Sequence, residues 1–215
     1  MPVPARAAVR RLAAAQHGGV AAGFRFLRKD RVLALITVAW MALVFGAGFG
    51  IVADRPVAEA FHAGSIGFGL ILGMWGLGSV VGSAFAGRMT ERAEPATLVT
   101  GFLVAAVGGI GIWLSPWFAL ILACNVAWGV GDALASVAEQ GILQRRTPDA
   151  VRARVFAANE SLVHATLMVA FLVAGPVVEM VGAKTTYLLG GLGALAASLL
   201  AGSVVRSVQR DELAS

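Results

Sequence analysis

The chain has 215 residues, of which 58% are hydrophobic and only 13% are charged, and its formal net charge is +5. Soluble domains carry about 25% charged residues, so this composition excludes most soluble enzymes as well as disordered, collagen-like and disulfide-scaffold chains. The single cysteine, Cys124, lies in an apolar run, which excludes an intrachain disulfide and offers no metal-ligand spacing. We therefore expect an all-α polytopic membrane protein without a metal or a cofactor.

Six apolar runs are long enough to cross a bilayer as helices, which takes about 20 residues each. In chain order they are Val32–Val52, Ile66–Gly87, Ala96–Leu114, Trp117 to about Ala138, about Val155 to Val178, and Thr185–Val205. None of them alternates in polarity as the strands of a membrane β-barrel do. Since lipid offers no partner to an unpaired backbone group, the runs predict six transmembrane helices.

The basic residues fall in alternate connections between these runs. Fifteen of the 17 Lys and Arg residues lie on one side of the predicted membrane, and the two exceptions are Arg55, in the predicted first outer loop Ala53–Ser65, and Lys184. Because Lys and Arg accumulate in cytoplasmic connections, this bias predicts a multi-pass membrane protein with both termini in the cytoplasm. The positive charge then follows from topology, so we expect a lipid bilayer and no nucleic acid as partner.

The same topology predicts a cytoplasmic N-terminal segment at 1–31, a six-helix bundle at 32–205 and a cytoplasmic tail at 206–215. The N-terminal segment is rich in Ala and Arg, with Arg6, Arg10 and Arg11 near its start. It fits either an amphipathic helix on the membrane surface, interrupted at Gly18 and Gly19, or a flexible connector.

Glycine pairs spaced four residues apart predict close helix packing. Helices in lipid have no hydrophobic drive to associate, so small residues that let two backbones approach help to hold the bundle together. The glycines assigned to such contacts are Gly46, Gly50, Gly69, Gly73, Gly78 and Gly82.

Ionisable residues inside the runs are the candidates for function, because a membrane makes them costly. Asn125, Asp132 and Glu139 are spaced seven apart, which keeps them on one helix face with a drift of about 20° per step. Glu160 and His164 share a face of the next run. These groups fit either an aqueous path for protons, a cation or a substrate, or a structural network that fixes helix packing.

Three tryptophans, Trp40, Trp75 and Trp128, fall near the middle of their runs. They fit either an aromatic wall around a lipophilic or cationic substrate or ordinary packing within the bundle. No H-E-x-x-H, G-x-S-x-G or Walker sequence occurs, so we expect no enzymatic activity.

Four stretches resemble the C-terminal six-helix half of transporters of the major facilitator superfamily, in particular bacterial multidrug and siderophore exporters of the drug:proton antiporter type. The stretches are GFRFLRKDRVLALI, GFGLILGMWGLGSVVGSAFAGRMTER, GILQRRTPDAVRARVFA and VAGPVVEMVGAKTTYLLGGL. They resemble, in this order, the end of the central linker with the seventh helix, the eighth helix, the loop between the tenth and eleventh helices, and the eleventh helix turning into the twelfth.

Two shorter motifs also carry the resemblance. Gly87, Glu91 and Arg92 match in type the signature loop of the superfamily, whereas the following residues Ala93–Pro95 depart from it. Gly175–Pro176 is similar to the antiporter motif of the first half and is assigned to helix packing.

The resemblance implies one half of a secondary carrier that exports small amphipathic molecules in exchange for protons. Such carriers have two six-helix halves with the substrate site between them. The second half would be a separate chain, the missing part of a longer gene product, or a second copy of this chain. The alternatives that remain open are a non-transporting six-helix scaffold or assembly protein and a homodimeric carrier.

The resemblance also assigns roles to the charged residues. The polar set on the fourth and fifth runs would face the central cavity. Interfacial ion pairs would brace a cytoplasmic gate, with Glu139 as the partner of Arg145 or Arg146. The residues assigned to this gate and to topology are Arg88, Glu91, Arg92, Glu139, Arg145, Arg146, Arg152 and Arg154.

Overall fold

A computed structural model describes the backbone of residues 19–213 and the side chains of residues 20–203 and 205, and within this range the backbone forms seven α-helices and no β-strand. The helices are α1 (Gly19–Lys29), α2 (Arg31–Ala60), α3 (Gly64–Ala86), α4 (Glu94–Leu114), α5 (Phe118–Arg146), α6 (Asp149–Val181) and α7 (Ala183–Leu213), with one 3-10 turn at Glu91–Ala93. The six helices α2 to α7 are long and apolar enough to cross a membrane. The all-α, six-span prediction is confirmed. Arg6, Arg10 and Arg11, which were predicted to belong to the N-terminal segment, lie outside the described residues.

The helices extend beyond the apolar runs that predicted them. Residues 53–60 were expected in an outer loop, but α2 continues through Pro56 to Ala60. The chain then turns at His62 and Gly64, which have φ of 54° and 56°. At the opposite end α5 and α6 are separated only by residues 147–148. An apolar run marks only the part of a helix that contacts hydrocarbon. Backbone hydrogen bonding continues the helix past the end of that run.

Helix α1 is docked on the bundle, so residues 19–29 do not form a flexible connector. Leu27 is 3% exposed and packs with Leu33, Leu143 and Val155. Gly23 lies so close to α6 that a Cβ there would overlap the carbonyl oxygen of Arg154. The glycine therefore permits the close approach that holds α1 against the first turns of α6.

Two apolar clusters form the interior of the bundle. The larger joins α2, α4, α5 and α7 and is built mainly from alanines around Phe102. The smaller lies near the other end of the bundle and includes Val57, Ile71, Ile112 and Ile121. Because alanine adds little width, the four helices of the larger cluster approach closely.

Glycine contacts confirm part of the predicted packing. A Cβ at Gly46 would lie 2.6 Å from the Gly190 carbonyl oxygen, and one at Gly82 would lie 2.6 Å from the Val130 carbonyl oxygen. A Cβ at Gly78 would overlap the Val126 carbonyl oxygen. These glycines hold α2 against α7 and α3 against α5.

Other glycines assigned to packing have no neighbour. Nothing lies within 4 Å of a Cβ built at Gly69, Gly73 or Gly175, so these three glycines pack on no other helix within the described part of this chain, and their packing role stays a prediction. Four-residue spacing marks a narrow helix face, but it does not say whether a neighbouring helix of the same chain covers that face.

Helices α3 and α6 are the most exposed of the six spans. Only 17% of the residues in the most apolar stretch of α3 and 11% of those of α6 are buried, against 39–44% in the other four spans. Helix α3 packs mainly on α5 and α6 mainly on α2. Both helices consequently leave broad apolar faces uncovered.

Candidate functional site

A cavity of about 190 Å³ lies between α2, α3, α5 and α7. Along α2, its lining residues Ala47, Gly50 and Ile51 lie between those of the larger and those of the smaller apolar cluster. Its walls are formed by Ala47, Gly50, Ile51, Asp54, Leu72, Trp75, Asn125, Trp128, Asp132 and Tyr187. Two carboxyl groups, one amide and one phenol therefore line a space that is otherwise apolar, and none of these lining residues is a Lys, Arg or His.

One end of the cavity is organised around Asp54. The Tyr187 hydroxyl donates a hydrogen bond to Asp54 Oδ1, and the two residues are 3% and 4% exposed. Gly50 makes room for this pair, because its Cβ would lie 3.2 Å from the Tyr187 ring. Asn125 is 5% exposed and donates to the carbonyl oxygen of Ile121 at 3.0 Å. This end is thus a compact group of polar side chains from three helices.

Asp132 and two tryptophans form the rest of the polar and aromatic wall. Asp132 is half-buried and lies two helical turns along α5 from Asn125. Trp128 is 5% exposed, and its ring also contacts Gly109 and Gly190. Trp75 is 41% exposed and forms the wall contributed by α3. Trp128 therefore both packs the bundle and lines the cavity.

Three residues predicted for the same pathway lie elsewhere. Glu160 and His164 are on the exposed face of α6, where the His164 Nδ1 is 2.8 Å from the Glu160 carbonyl oxygen and 3.8 Å from Glu160 Oε2. Trp40 packs against Phe102 with ring centroids 6.2 Å apart. Spacing correctly placed Glu160 and His164 on one face of α6, but it did not identify whether another helix meets that face.

Glu139 lies in a buried network rather than in an ion pair. The Asn159 Nδ2 donates to Glu139 Oε1 at 2.9 Å, and the Thr37 hydroxyl donates to Asn159 Oδ1 at 3.2 Å. Its predicted pairing with Arg145 or Arg146 is wrong. Glu139 is 2% exposed, because the seventh residue after Asp132 falls on the same inward face of α5.

The ion pairs at this end of the bundle join other partners. Arg145 pairs with Glu94, which connects α5 to α4. Arg146 Nε lies 3.3 Å from Asp30 Oδ2, which connects α5 to the α1–α2 junction. A second cavity of about 160 Å³ lies beside these groups and is lined mostly by apolar residues of α2, α4, α5 and α7.

The other residues assigned to the gate take less part in such contacts. Arg88, Glu91 and Arg92 are exposed. Arg152 pairs locally with Asp149 at 2.5 Å, and the Arg154 backbone contacts Gly23. Among the side chains of residues 20–203, no three His, Cys, Asp or Glu side chains are grouped as metal ligands would be.

Sequence reasoning missed Asp54 and Tyr187. Asp54 was assigned to an outer loop because the apolar run ends at Val52, and Tyr187 was not singled out. One signal was present, because Tyr187 is the single tyrosine of the chain and lies in an otherwise apolar run. A buried tyrosine hydroxyl needs a hydrogen-bond partner, which directs attention to the nearest buried acid.

The fold and the cavity define a polytopic helical membrane protein with a polar site inside its bundle, an arrangement typical of membrane carriers. The family model described as Major Facilitator Superfamily matches residues 34–212. The chain therefore belongs to the major facilitator superfamily of transporters.

Curated relatives agree with this family. The uncharacterised MFS-type transporter YfmI of Bacillus subtilis (strain 168) is 25% identical over 80% of this chain and 44% of its own length. The enterobactin exporter EntS of Shigella flexneri is 28% identical over 81% of this chain and 37% of its own. The enterobactin exporter EntS of Citrobacter koseri is 27% identical over 85% of this chain and 40% of its own. The chain spans about two fifths of the length of these relatives, and no solved structure matches it significantly.

Proposed function

We propose that this chain forms one half of a proton-coupled exporter of small amphipathic molecules in a bacterial plasma membrane. The observation that carries the proposal is the cavity lined by Asp54, Asn125, Asp132 and Tyr187. Two carboxyl groups inside an apolar membrane bundle cost free energy. In a transporter they can bind protons or substrate, which explains why they are present there. Two of the relatives are named as exporters, which supports export as the direction.

Protons and substrate have distinct groups available in this cavity. Asp132 is half-buried and is the carboxyl group that we assign to proton exchange. Asp54 already accepts a hydrogen bond from Tyr187, so we assign this pair to substrate contact or positioning. Trp75 and Trp128 provide apolar ring surface for the amphipathic part of the substrate.

A second six-helix half is part of the proposal. The uncovered faces of α3 and α6 are apolar and carry small residues with open space around them, including Gly69, Gly73 and Gly175. Small residues allow close approach of helices in lipid, so these faces are suited to helices from the second half. In the full transporter we place Glu160 and His164 at this interface, because an ionisable pair that faces lipid would be costly.

The distribution of basic residues supports the proposed orientation. Arg25, Arg88, Arg92, Arg145 and Arg146 all lie at the same end of the bundle. Following the preference of Lys and Arg for the cytoplasmic side, we place this end and both termini in the cytoplasm.

The test is uptake driven by a pH gradient in everted membrane vesicles that contain this chain together with its second half. Enterobactin and ethidium serve as probes, and a pH-sensitive dye reports proton movement. We expect D132N to reduce gradient-driven uptake by at least about tenfold, since a general role in proton transfer is worth about 10²-fold or more. The matched control is E59Q, which alters an exposed carboxyl group of α2 paired with Arg55.

The proton assignment is wrong if D132N transports at the wild-type rate with unchanged pH dependence. If the assembled wild-type protein moves neither probe and no protons, the result favours a non-transporting scaffold. Loss of uptake in E59Q to the same extent as in D132N would point to general damage and would contradict the special role of the cavity.

A further inference from the structure

A basic surface on α1 and the start of α2 has no part in the proposed transport cycle. It consists of Arg25, Arg28, Lys29 and Arg31, whose side chains are all exposed. Residues three and four apart share a helix face, so the three residues of α1 lie together, opposite the side that buries Leu27. We call these four residues the basic face.

The basic face lacks an acidic partner in the part of the chain that the structure describes. None of the ion pairs formed there includes one of its four residues. The acid nearest in sequence, Asp30, is already engaged. Its Oδ1 accepts hydrogen bonds from the backbone N–H groups of Val32 at 2.9 Å and Leu33 at 3.2 Å, and its Oδ2 pairs with Arg146.

The position of α1 places this face at the level of a membrane surface. Leu27 packs against Leu143 and Val155, near the ends of the apolar parts of α5 and α6. The apolar run of α2 begins at Val32, directly after the basic face. The close contact of Gly23 with the α6 backbone fixes which side of α1 faces away from the protein.

We propose that the basic face binds the phosphate groups of anionic phospholipids in the adjacent leaflet. A cluster of Lys and Arg immediately next to a spanning helix is the arrangement that attracts anionic lipid headgroups, and guanidinium groups bind phosphate oxygens in pairs. A nucleic acid would meet the same charges, but the attachment of α1 beside the spanning helices favours lipid. The proposal requires only that the chain spans a membrane and does not rest on transport.

The test is a lipid titration of the full chain in mild detergent, followed by native mass spectrometry. The probes are dioleoyl phosphatidylglycerol and, as the neutral lipid, dioleoyl phosphatidylcholine. Each basic residue at an anionic surface contributes about fivefold to binding, so R25Q/K29Q should weaken the affinity for phosphatidylglycerol about 25-fold. The matched control is R88Q/R92Q, which removes two exposed charges from the connection between α3 and α4.

Support requires that the α1 variant loses its preference for phosphatidylglycerol while the control keeps it. An equal loss of affinity for phosphatidylglycerol in both variants would show that net charge alone determines binding and would overturn the proposal. A wild-type chain that binds both lipids equally would also overturn it. Displacement of phosphatidylglycerol by a single-stranded oligonucleotide at physiological salt would also overturn it, in favour of a nucleic-acid surface. If R25Q/K29Q fails to fold, the single variants R25Q and K29Q replace it, and each should weaken the affinity for phosphatidylglycerol about fivefold; wild-type affinity in both would overturn the proposal.

Discussion

At the level of single residues, Gly50 determines the shape of the cavity. A Cβ at position 50 would lie 3.2 Å from the Tyr187 ring, so a side chain there would require a small shift of the ring whose hydroxyl donates to Asp54. Burying a carboxyl group costs free energy unless hydrogen bonds offset the loss of water. In the described part of the chain, the Tyr187 hydroxyl is the side chain that provides such a bond to Asp54.

Removing this hydroxyl should destabilise the folded half. Y187F leaves Asp54 buried without its donor, and we expect the free energy of unfolding to fall by about 1–3 kcal/mol. The measurement is an SDS titration of the purified chain in mild detergent, followed by circular dichroism.

The control is the same substitution in a D54L background. There the carboxyl group is absent, so Y187F should cost much less, because replacing both partners with apolar groups is close to neutral. An equal cost in both backgrounds would show that the two side chains are not coupled.

The site residues that the sequence identified and those it missed differ for a physical reason. Asn125 and Asp132 were found because a seven-residue spacing keeps polar groups on one face of α5, and the structure brings both to the cavity. Asp54 was missed because the apolar run ends before it while the helix does not. Glu160 was assigned to the same pathway, although its face of α6 points away from the cavity within this chain.

At the level of helices, α3 has two sides with different roles. One side presents Gly78 and Gly82 to the backbone of α5, where added atoms would overlap carbonyl oxygens. The other presents Gly69 and Gly73 to open space. Gly78 and Gly82 therefore make contacts inside this half, whereas Gly69 and Gly73 are available to a neighbouring helix.

This difference predicts opposite results for two identical substitutions. G78A should lower the free energy of unfolding by about 1–3 kcal/mol, because the added methyl group forces two backbones apart. G73A should not lower the stability of the isolated half and should raise it by up to about 1 kcal/mol, since its Cβ meets nothing within 4 Å and alanine favours a helix interior over glycine. Both variants are compared by thermal unfolding in detergent, and equal midpoints for the two would contradict the observed packing.

The number and order of spanning helices could be predicted from sequence, whereas their ends could not. Twenty apolar residues are needed to cross hydrocarbon whatever the fold, so six runs predict six spans. The continuation of α2 to Ala60 and the two-residue connection at 147–148 depend on hydrogen bonding and tertiary contacts that hydropathy does not report. Asp30 is an example, because it caps α2 and pairs with α5 at the same time.

At the level of the whole molecule, α3 and α6 are the sparsely covered helices, and they are where the second half that we propose would pack. Large apolar side chains on α3 and α6 remain exposed, among them Ile66 at 79%, Phe85 at 64% and Leu172 at 71%. A second half that packed on these exposed apolar side chains would bury part of their surface.

We expect G73L to weaken association with the second half about tenfold or more while leaving the isolated chain stable. The added side chain fills the space that a neighbouring helix would use. Light scattering corrected for bound detergent gives the mass of the chain alone and when co-expressed with its second half.

The matched control for association is G202L, at another open glycine on α7. It should not change complex formation. A chain that stays monomeric in the presence of every candidate half would contradict the two-half proposal. A stable homodimer would identify the second half as another copy of this chain.

The adjacent glycines of α7 have a consequence for motion. Gly190 contacts Gly46 of α2, while its neighbour Gly191 contacts Gly109 of α4. Successive residues point about 100° apart around a helix, so α7 is wedged between two backbones and rotation about its own axis would drive it into one of them. We therefore expect α2, α4 and α7 to move together as a rigid body when this half changes shape.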